Sequence, residues 1–250
     1  LHRRTAVTRE VLAAALWPGA PPAASRRRSV VTLHAARRAL EPEAGARGPF
    51  RILVTESGLC RLERGAVKLE VDVEEFERRA RMCEPVVARL SRRPWSPDPA
   101  SRAEAARDLA RVKAALAVYG GELLPALAYA RWTQPERERL RDRSARLSLA
   151  QGTLALAVGR TAEVVEAAQR VLAEDPLEEA AMRLLLRGLA ASGEKAVALK
   201  AYRRFARKIE RELGTTPSPE TAALARELLG AGRGEPPRPP LRLEPRLSIT

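Results

Sequence analysis

The chain has few of the residues that most chemistry needs. In 250 residues there are two cysteines, Cys60 and Cys83, and two histidines, His2 and His34. No C-x-x-C pair exists, and four such scattered residues do not make a metal-ligand cluster, so neither a metal nor a disulfide framework is expected. A reducing, cytoplasmic setting fits a chain of this size with so few thiols. Aromatic residues are 4% of the whole. No apolar run approaches the roughly 18 residues that a membrane span needs, which argues against a membrane partner. The start carries neither a signal peptide nor a methionine, as expected of a piece of a longer chain. Nucleotide and zinc-protease signatures are missing: there is no G-x-x-x-x-G-K-[ST] and no H-E-x-x-H. The "GAGRGE" at 230–235 neither follows a strand nor opens a helix. No enzyme, catalytic residue or cofactor is therefore expected.

Positive charge, by contrast, is abundant. Lys+Arg number 45 against 31 Asp+Glu, a net charge of +14. Lysine occurs only at 68, 113, 195, 200 and 208, so the charge is almost all guanidinium. Such a balance points to an acidic partner: nucleic acid, an acidic protein surface or anionic lipid. Placement along the chain narrows the choice.

"VTREVLAAALWP" reads as a short helix capped by Thr8, with Val7 able to staple onto Leu12 and Pro18 as the stop. Leu12, Ala15 and Leu16 should face a core. After the connector "PGAPP" comes "AASRRRSVVTLHAARRALEP", a second helix ending near Leu40. "FRILVTESGLCRLE" then places apolar and β-branched residues around Ser57-Gly58, the mark of a hairpin. Helix, turn, helix, hairpin is the order of a winged helix. From Val71 the pattern is helical throughout. "SRRPWSPDPAS" reads as a proline-rich linker, Ala105, Leu109, Val112, Leu116 and Tyr119 form one helical stripe, and Leu140, Leu147 and Leu154 form another. At a spacing of 34, Gly159 aligns with Gly193, Ala162 with Ala196, Ala167 with Ala201 and Val171 with Phe205, the period of a tetratricopeptide (TPR) helix pair. "PSPETAALARELL" should open a last helix with Ser218 as cap and Pro219 at its first position. Trp17, Trp132, Tyr202 and Phe205 read as packing residues. The fold class is thus mainly α: a partial winged helix-turn-helix over 1–70 with a β-hairpin wing, TPR-like helices over 71–230, and a Pro/Arg-rich, disordered tail over 231–250.

Winding residues 24–40 as a helix puts Ser29, Val30, Leu33, Ala36 and Leu40 on one face, the side expected to bury. Arg27, Val31, His34, Ala35 and Arg38 fall opposite, flanked by Arg28 and Thr32, and no acid appears before Glu41. An ordinary solvated face would interleave Glu for i, i+4 pairs. Arginine among small apolar groups suits a major groove, where a guanidinium grips guanine and a methyl meets thymine. Arg26, Arg27, Arg28, Val31, Thr32, His34 and Arg38 are therefore candidate DNA contacts. Arg51 and Arg61, on the hairpin, are candidates for phosphate.

The motifs "LWP", "LHAARRALEP", "VDVEEFE", "YGGELLP", "RWTQPERERLR" and "RELGTTPSPET", in that order, resemble the Streptomyces antibiotic regulatory protein (SARP) family and its larger ATPase-linked relatives. Residues 7–77 look like the later part of an OmpR-type winged helix, and 71–229 like a bacterial transcriptional activation domain. The resemblance implies a recognition helix at 26–38, a wing at 50–63, binding of double-stranded DNA at tandem promoter repeats by a possible homodimer, and contact between the helical domain and RNA polymerase, including its sigma factor, or another protein. Two departures stand out: the family's strands and first helix before this point are absent, and its Gly-Tyr-Arg-Leu wing reads Leu59-Cys60-Arg61-Leu62. The rival reading is a TPR-type adaptor whose degenerate winged helix does not bind DNA.

Overall fold

The computed structural model describes residues 5–45, 48–63, 65, 70–92, 99–127 and 129–228. His2, the core of the proline-rich linker at 93–98, the "GAGRGE" stretch and the 231–250 tail lie outside the described residues. The chain divides into two compact units: Leu1–Met82 with Ala114–Ser144, and Cys83–Lys113 with Ala145–Thr250.

The first unit opens on a two-residue strand, β1 (Val7–Thr8), that leads directly into α1 (Arg9–Leu16). Thr8 caps this helix, its hydroxyl accepting from the Val11 amide at 3.3 Å. The strand is absent from the sequence reading because it exists only by pairing with residues some fifty positions on, where Val7 faces Cys60 and Thr8 faces Leu59. A two-residue pairing of this kind leaves no periodicity to read. Of α1, Ala13 is the buried residue, while Leu12 and Ala15 are half-buried and Leu16 is exposed. The expected core face is thus displaced. Leu12, Ala15 and Leu16 instead line an apolar groove with Leu62, Trp132 and Pro135.

Helix α2 (Pro22–Leu40) follows, starting two residues earlier than expected because Pro22 has the backbone torsion a first helical position needs. The hairpin β2 (Leu53–Glu56) and β3 (Leu59–Leu62) turns on Ser57 and Gly58, both in the left-handed region at φ 49° and 81°. A two-residue hairpin turn demands that conformation, which glycine supplies at no steric cost. The antiparallel sheet has the order β1-β3-β2.

Helix α3 (Asp72–Arg92), α4 (Pro99–Leu116) and α5 (Gln134–Ala157) come next. The proline-rich stretch is shorter as a connector than it looked, since Ser91, Arg92 and Pro99 are already helical. Tyr119 lies beyond the end of α4 and packs against Phe76, with ring centroids 5.0 Å apart and the planes tilted by 42°. In "YGGELLP" and "RWTQPERERLR" two distant motifs meet: buried Arg137 donates to Glu122 at 2.8 Å and to the Leu124 carbonyl. Leu140, Leu147 and Leu154 are buried as their stripe predicts.

In the second unit α6 (Thr161–Glu174), α7 (Glu179–Ala191), α8 (Lys195–Leu213) and α9 (Pro219–Leu228) complete the TPR-like array. The 34-residue spacing holds in three dimensions. Helices α6 and α8 start at equivalent positions, Gly159 and Gly193 both carry the positive φ of a helix end (79° and 80°), and Val171 and Phe205 are both buried. The aligned alanines at 162 and 196 are exposed, because the close approach is made elsewhere. A Cβ on Gly188 would lie 2.9 Å from a methyl carbon of Val164. Ser218 accepts from the Thr221 amide, the expected cap of α9. The carboxylate of Glu179 on α7 accepts from the Ser218 amide at 2.9 Å and from the hydroxyls of Ser218 and Thr221. Burial opposes the charge of Glu179, but these hydrogen bonds outweigh it and hold its pKa below the ordinary 4.5.

Two outcomes follow from this packing. Gly188→Ala should lower stability in urea melts by about 1–3 kcal/mol, since Val164 is branched and cannot swing aside. Glu179→Gln should cost about 1–2 kcal/mol near neutral pH. Because the folded pKa is depressed, the wild-type advantage is fully present above the unfolded value and disappears as pH falls through the folded one. Urea midpoints of the two proteins should therefore converge in acid.

Candidate nucleic-acid interface

Helix α2 presents two unlike sides. Its inner side is built from small polar residues: Ser25 and Ser29 are buried, and each hydroxyl donates to a backbone carbonyl, Ser25 to Ala20 at 3.3 Å and Ser29 to Ser25 at 2.8 Å. A serine that bonds back to the nearby backbone adds little width, so α1 can come close. Leu33 and Ala36 continue the inner stripe as half-buried residues. Two members of the expected buried face depart from it. Val30 is 57% exposed and Leu40 44% exposed. One residue on from Ser29 is about 100° around the helix, which carries Val30 to the rim of a groove lined by Ala13, Ala14 and Trp17. Leu40 lies in the last turn of the helix.

The outer side carries the expected set. Arg26, Arg27, Arg28, Val31, Thr32, His34 and Arg38 are all exposed. Arg27, Arg28 and Arg38 form no ion pair with a described residue. Arg26 stands apart from them. Hydrogen bonds from the backbone and Thr8 hold the Glu10 carboxyl below its ordinary range, and the Arg26 charge adds to that effect. His34 is exposed yet anchored, its ring edge-on to Phe50 with centroids 5.9 Å apart at 85°.

What the sequence reading missed is the device that fixes the hairpin to this helix. Arg37 is half-buried. Its Nε donates to the Leu53 carbonyl at 2.7 Å, a terminal nitrogen donates to the Thr55 hydroxyl, and its guanidinium lies 5.6 Å from the Phe50 ring centroid. Just past the end of the helix, Glu41 accepts from the amides of Arg51 and Ile52, each at 2.8 Å. One cation and one carboxylate, four residues apart, thus hold both ends of the segment that enters β2. Arg37 sits among five arginines of similar local sequence, so only the fold distinguishes it from Arg38.

On the hairpin the register is settled by Cys60, buried at 2% exposure opposite Thr55, with Arg61 opposite Val54 on the other face. Arg51 is exposed, and its amide is the group held by Glu41. Arg61 is exposed too, but its guanidinium is shared between Glu56 at 3.6 Å and Glu63 at 3.3 Å. Cys60 and Cys83 are free, buried thiols. Among the described residues no group of His, Cys, Asp and Glu could hold a metal ion, and no helix is long and apolar enough to cross a membrane.

Arg37→Ala should strip the hairpin of two hydrogen bonds and a ring contact. A stability loss of about 2–3 kcal/mol is expected, against under about 0.5 kcal/mol for Arg38→Ala one residue away. Thermal melts of the two variants side by side measure the difference.

A regulatory protein from Streptomyces griseus, AfsR, is 32% identical over 136 residues, 53% of this chain and 14% of the relative. Mycobacterium tuberculosis EmbR, solved in complex with a low-affinity phosphopeptide, superposes with a TM-score of 0.65 at 22% identity, over 93% of this chain and 57% of that one. At that identity the likeness speaks to the fold alone. The chain therefore spans about one seventh and rather more than half of the lengths of these two proteins. Residues 71–229 match the model of the bacterial transcriptional activator domain, and the chain belongs to that family, in keeping with its resemblance to SARP-type regulators.

Proposed function

We propose that this chain is the DNA-contacting and activating part of a cytoplasmic transcription regulator, with a winged helix over 1–70 and an activator domain over 71–230. It reads promoter repeats with α2 and engages RNA polymerase, its sigma factor or another protein through the helical array. The observation that carries the reading is the outer side of α2, where exposed arginines stand among Val31, Thr32 and Ala35 with no carboxylate opposite them. Family membership supports the regulatory role. The likeness to a protein named as a regulator supports it further.

In this reading Arg27 and Arg38 bind guanine edges in the major groove, Val31 and Thr32 meet thymine methyls, and Arg26, Arg28 and Arg51 engage phosphates. His34, held by Phe50, sits at the edge of the contact. Arg61 joins only by exchanging Glu56 and Glu63 for a phosphate, a swap that local carboxylates oppose. No catalytic residue and no cofactor is assigned. Two copies on tandem half-sites would set their recognition helices about 34 Å apart, one turn of duplex.

The test is binding to duplex DNA across a salt series. Affinity should fall steeply, with roughly 0.9 added to the log-log slope for each neutralised phosphate. Arg27→Ala and Arg38→Ala should each weaken a selected site by about 1–3 kcal/mol while sparing random sequence, and Arg51→Ala should weaken both alike. Undetectable or salt-insensitive binding would favour the adaptor reading, in which the helical array alone recruits a partner.

A further inference from the structure

Many arginines are matched by acid, above all on α3 and α5. Arg78 and Arg79 both bind Glu75, Arg139 binds Glu77 and Glu136, Arg89 binds Glu104 and Asp108, Arg160 shares Glu163 with Lys113, and Arg137 and Arg141 share Glu122. Helix α8 departs from this habit. Lys200, Arg203, Arg204 and Arg207 are exposed and form no ion pair with a described residue. At spacings of three and four these residues fall on one ridge, opposite the buried Ala198, Phe205 and Ile209. Arg211 extends the ridge, although Glu212 partly neutralises it at 3.3 Å. Glu210 flanks the C-terminal end. From Lys200 to Arg211 the ridge is about 16 Å long at 1.5 Å per residue.

Holding such a row together has a cost, since like charges at i, i+4 repel one another on an isolated helix. A polyanion relieves that cost. The geometry points to α8 as a second, sequence-indifferent contact for the phosphodiester backbone of duplex DNA, distinct from the base-reading side of α2. This inference rests on the DNA-binding reading but assigns a different surface to a different task. Two features favour a phosphate backbone over an acidic protein. Along the ridge itself no aromatic or large apolar side chain stands between the charges, whereas protein interfaces are anchored by such residues and depleted of charge at their centre. The exposed Val197 and Leu213 lie only at its two ends. Regular charge also matches regular charge: a duplex presents one phosphate per about 1.7 Å of axis, so every guanidinium on a ridge of this length finds a partner without a defined register. On α2, by contrast, Val31 and Ala35 interrupt the arginines, as reading bases requires.

The experiment uses the full chain with Lys200, Arg203, Arg204 and Arg207 all changed to glutamine, alongside a version in which the three arginines become lysine. Thermal melts should show no loss of stability in either, since the substituted side chains are exposed, and the glutamine variant should gain slightly as the repulsion is relieved. Anisotropy on a random-sequence duplex over a salt series should show the glutamine variant weakened, with its log-log slope shallower by roughly 2–4. The lysine variant should retain wild-type binding, since a phosphate asks only for charge. On a selected site the glutamine variant should lose the same factor as on random sequence, so the specificity ratio stays constant. If the glutamine variant keeps the wild-type slope, the inference is overturned. It is equally overturned if the duplex curves coincide while binding to an acidic peptide or to anionic vesicles is lost, for the ridge then serves a protein or a lipid surface. Arg27→Ala and Arg38→Ala in the same assay keep the two ideas apart. Loss of specificity there with an unchanged α8 result removes only the present inference, the converse removes only base reading by α2, and a wild type that binds no duplex removes both.

Discussion

The first unit depends on a clamp at the end of α2. Arg37 takes the carbonyl and hydroxyl acceptors of β2, Glu41 takes the amides that precede it, and Phe50 lies under the guanidinium and beside His34. These bonds are charge-assisted, and those of Arg37 and of the Ile52 amide are part-buried, where such interactions are stronger than at the surface. The clamp fixes the rotation of the helix relative to the hairpin, and with it the direction in which Arg27, Arg28 and Arg38 point. An interface of this kind needs no large apolar core, which suits a unit whose inner helix face is built largely from serine and alanine.

Much of the fold was legible in the sequence, and the legible parts have local causes. Thr8 and Ser218 cap helices by bonding amides three residues on, Ser57-Gly58 turns because of its own torsions, and Leu140, Leu147 and Leu154 recur at the helical period. The 34-residue repeat is a local pattern read twice. What escaped reading depends on residues far apart in the chain. Strand β1 needs Cys60, Glu41 needs the amides of 51 and 52, and Arg137 needs Glu122 and the Leu124 carbonyl. Val30 departs for a simpler reason: a hydrophobic residue beside a buried position reads as part of the buried face, although Ser29 is the residue that faces inward.

The candidate interface was legible in composition but not in division of labour. Five arginines in one helix look alike in sequence. In the fold Arg37 is a structural tie, Arg26 partly answers Glu10, and three remain open. The same sorting applies to the whole molecule. A net charge of +14 says little about where a polyanion would lie, because many arginines, above all on α3 and α5, carry their own counter-charges. Only after those pairs are set aside do the outer side of α2 and the ridge of α8 stand out.

Thr8 belongs at once to a strand and to a helix start: in β1 it pairs with Leu59 of β3 while its hydroxyl holds the first turn of α1. No slack segment separates the two elements. The hairpin is consequently geared to α1, so a displacement of β3 would reach the root of that helix instead of dissipating in a loop.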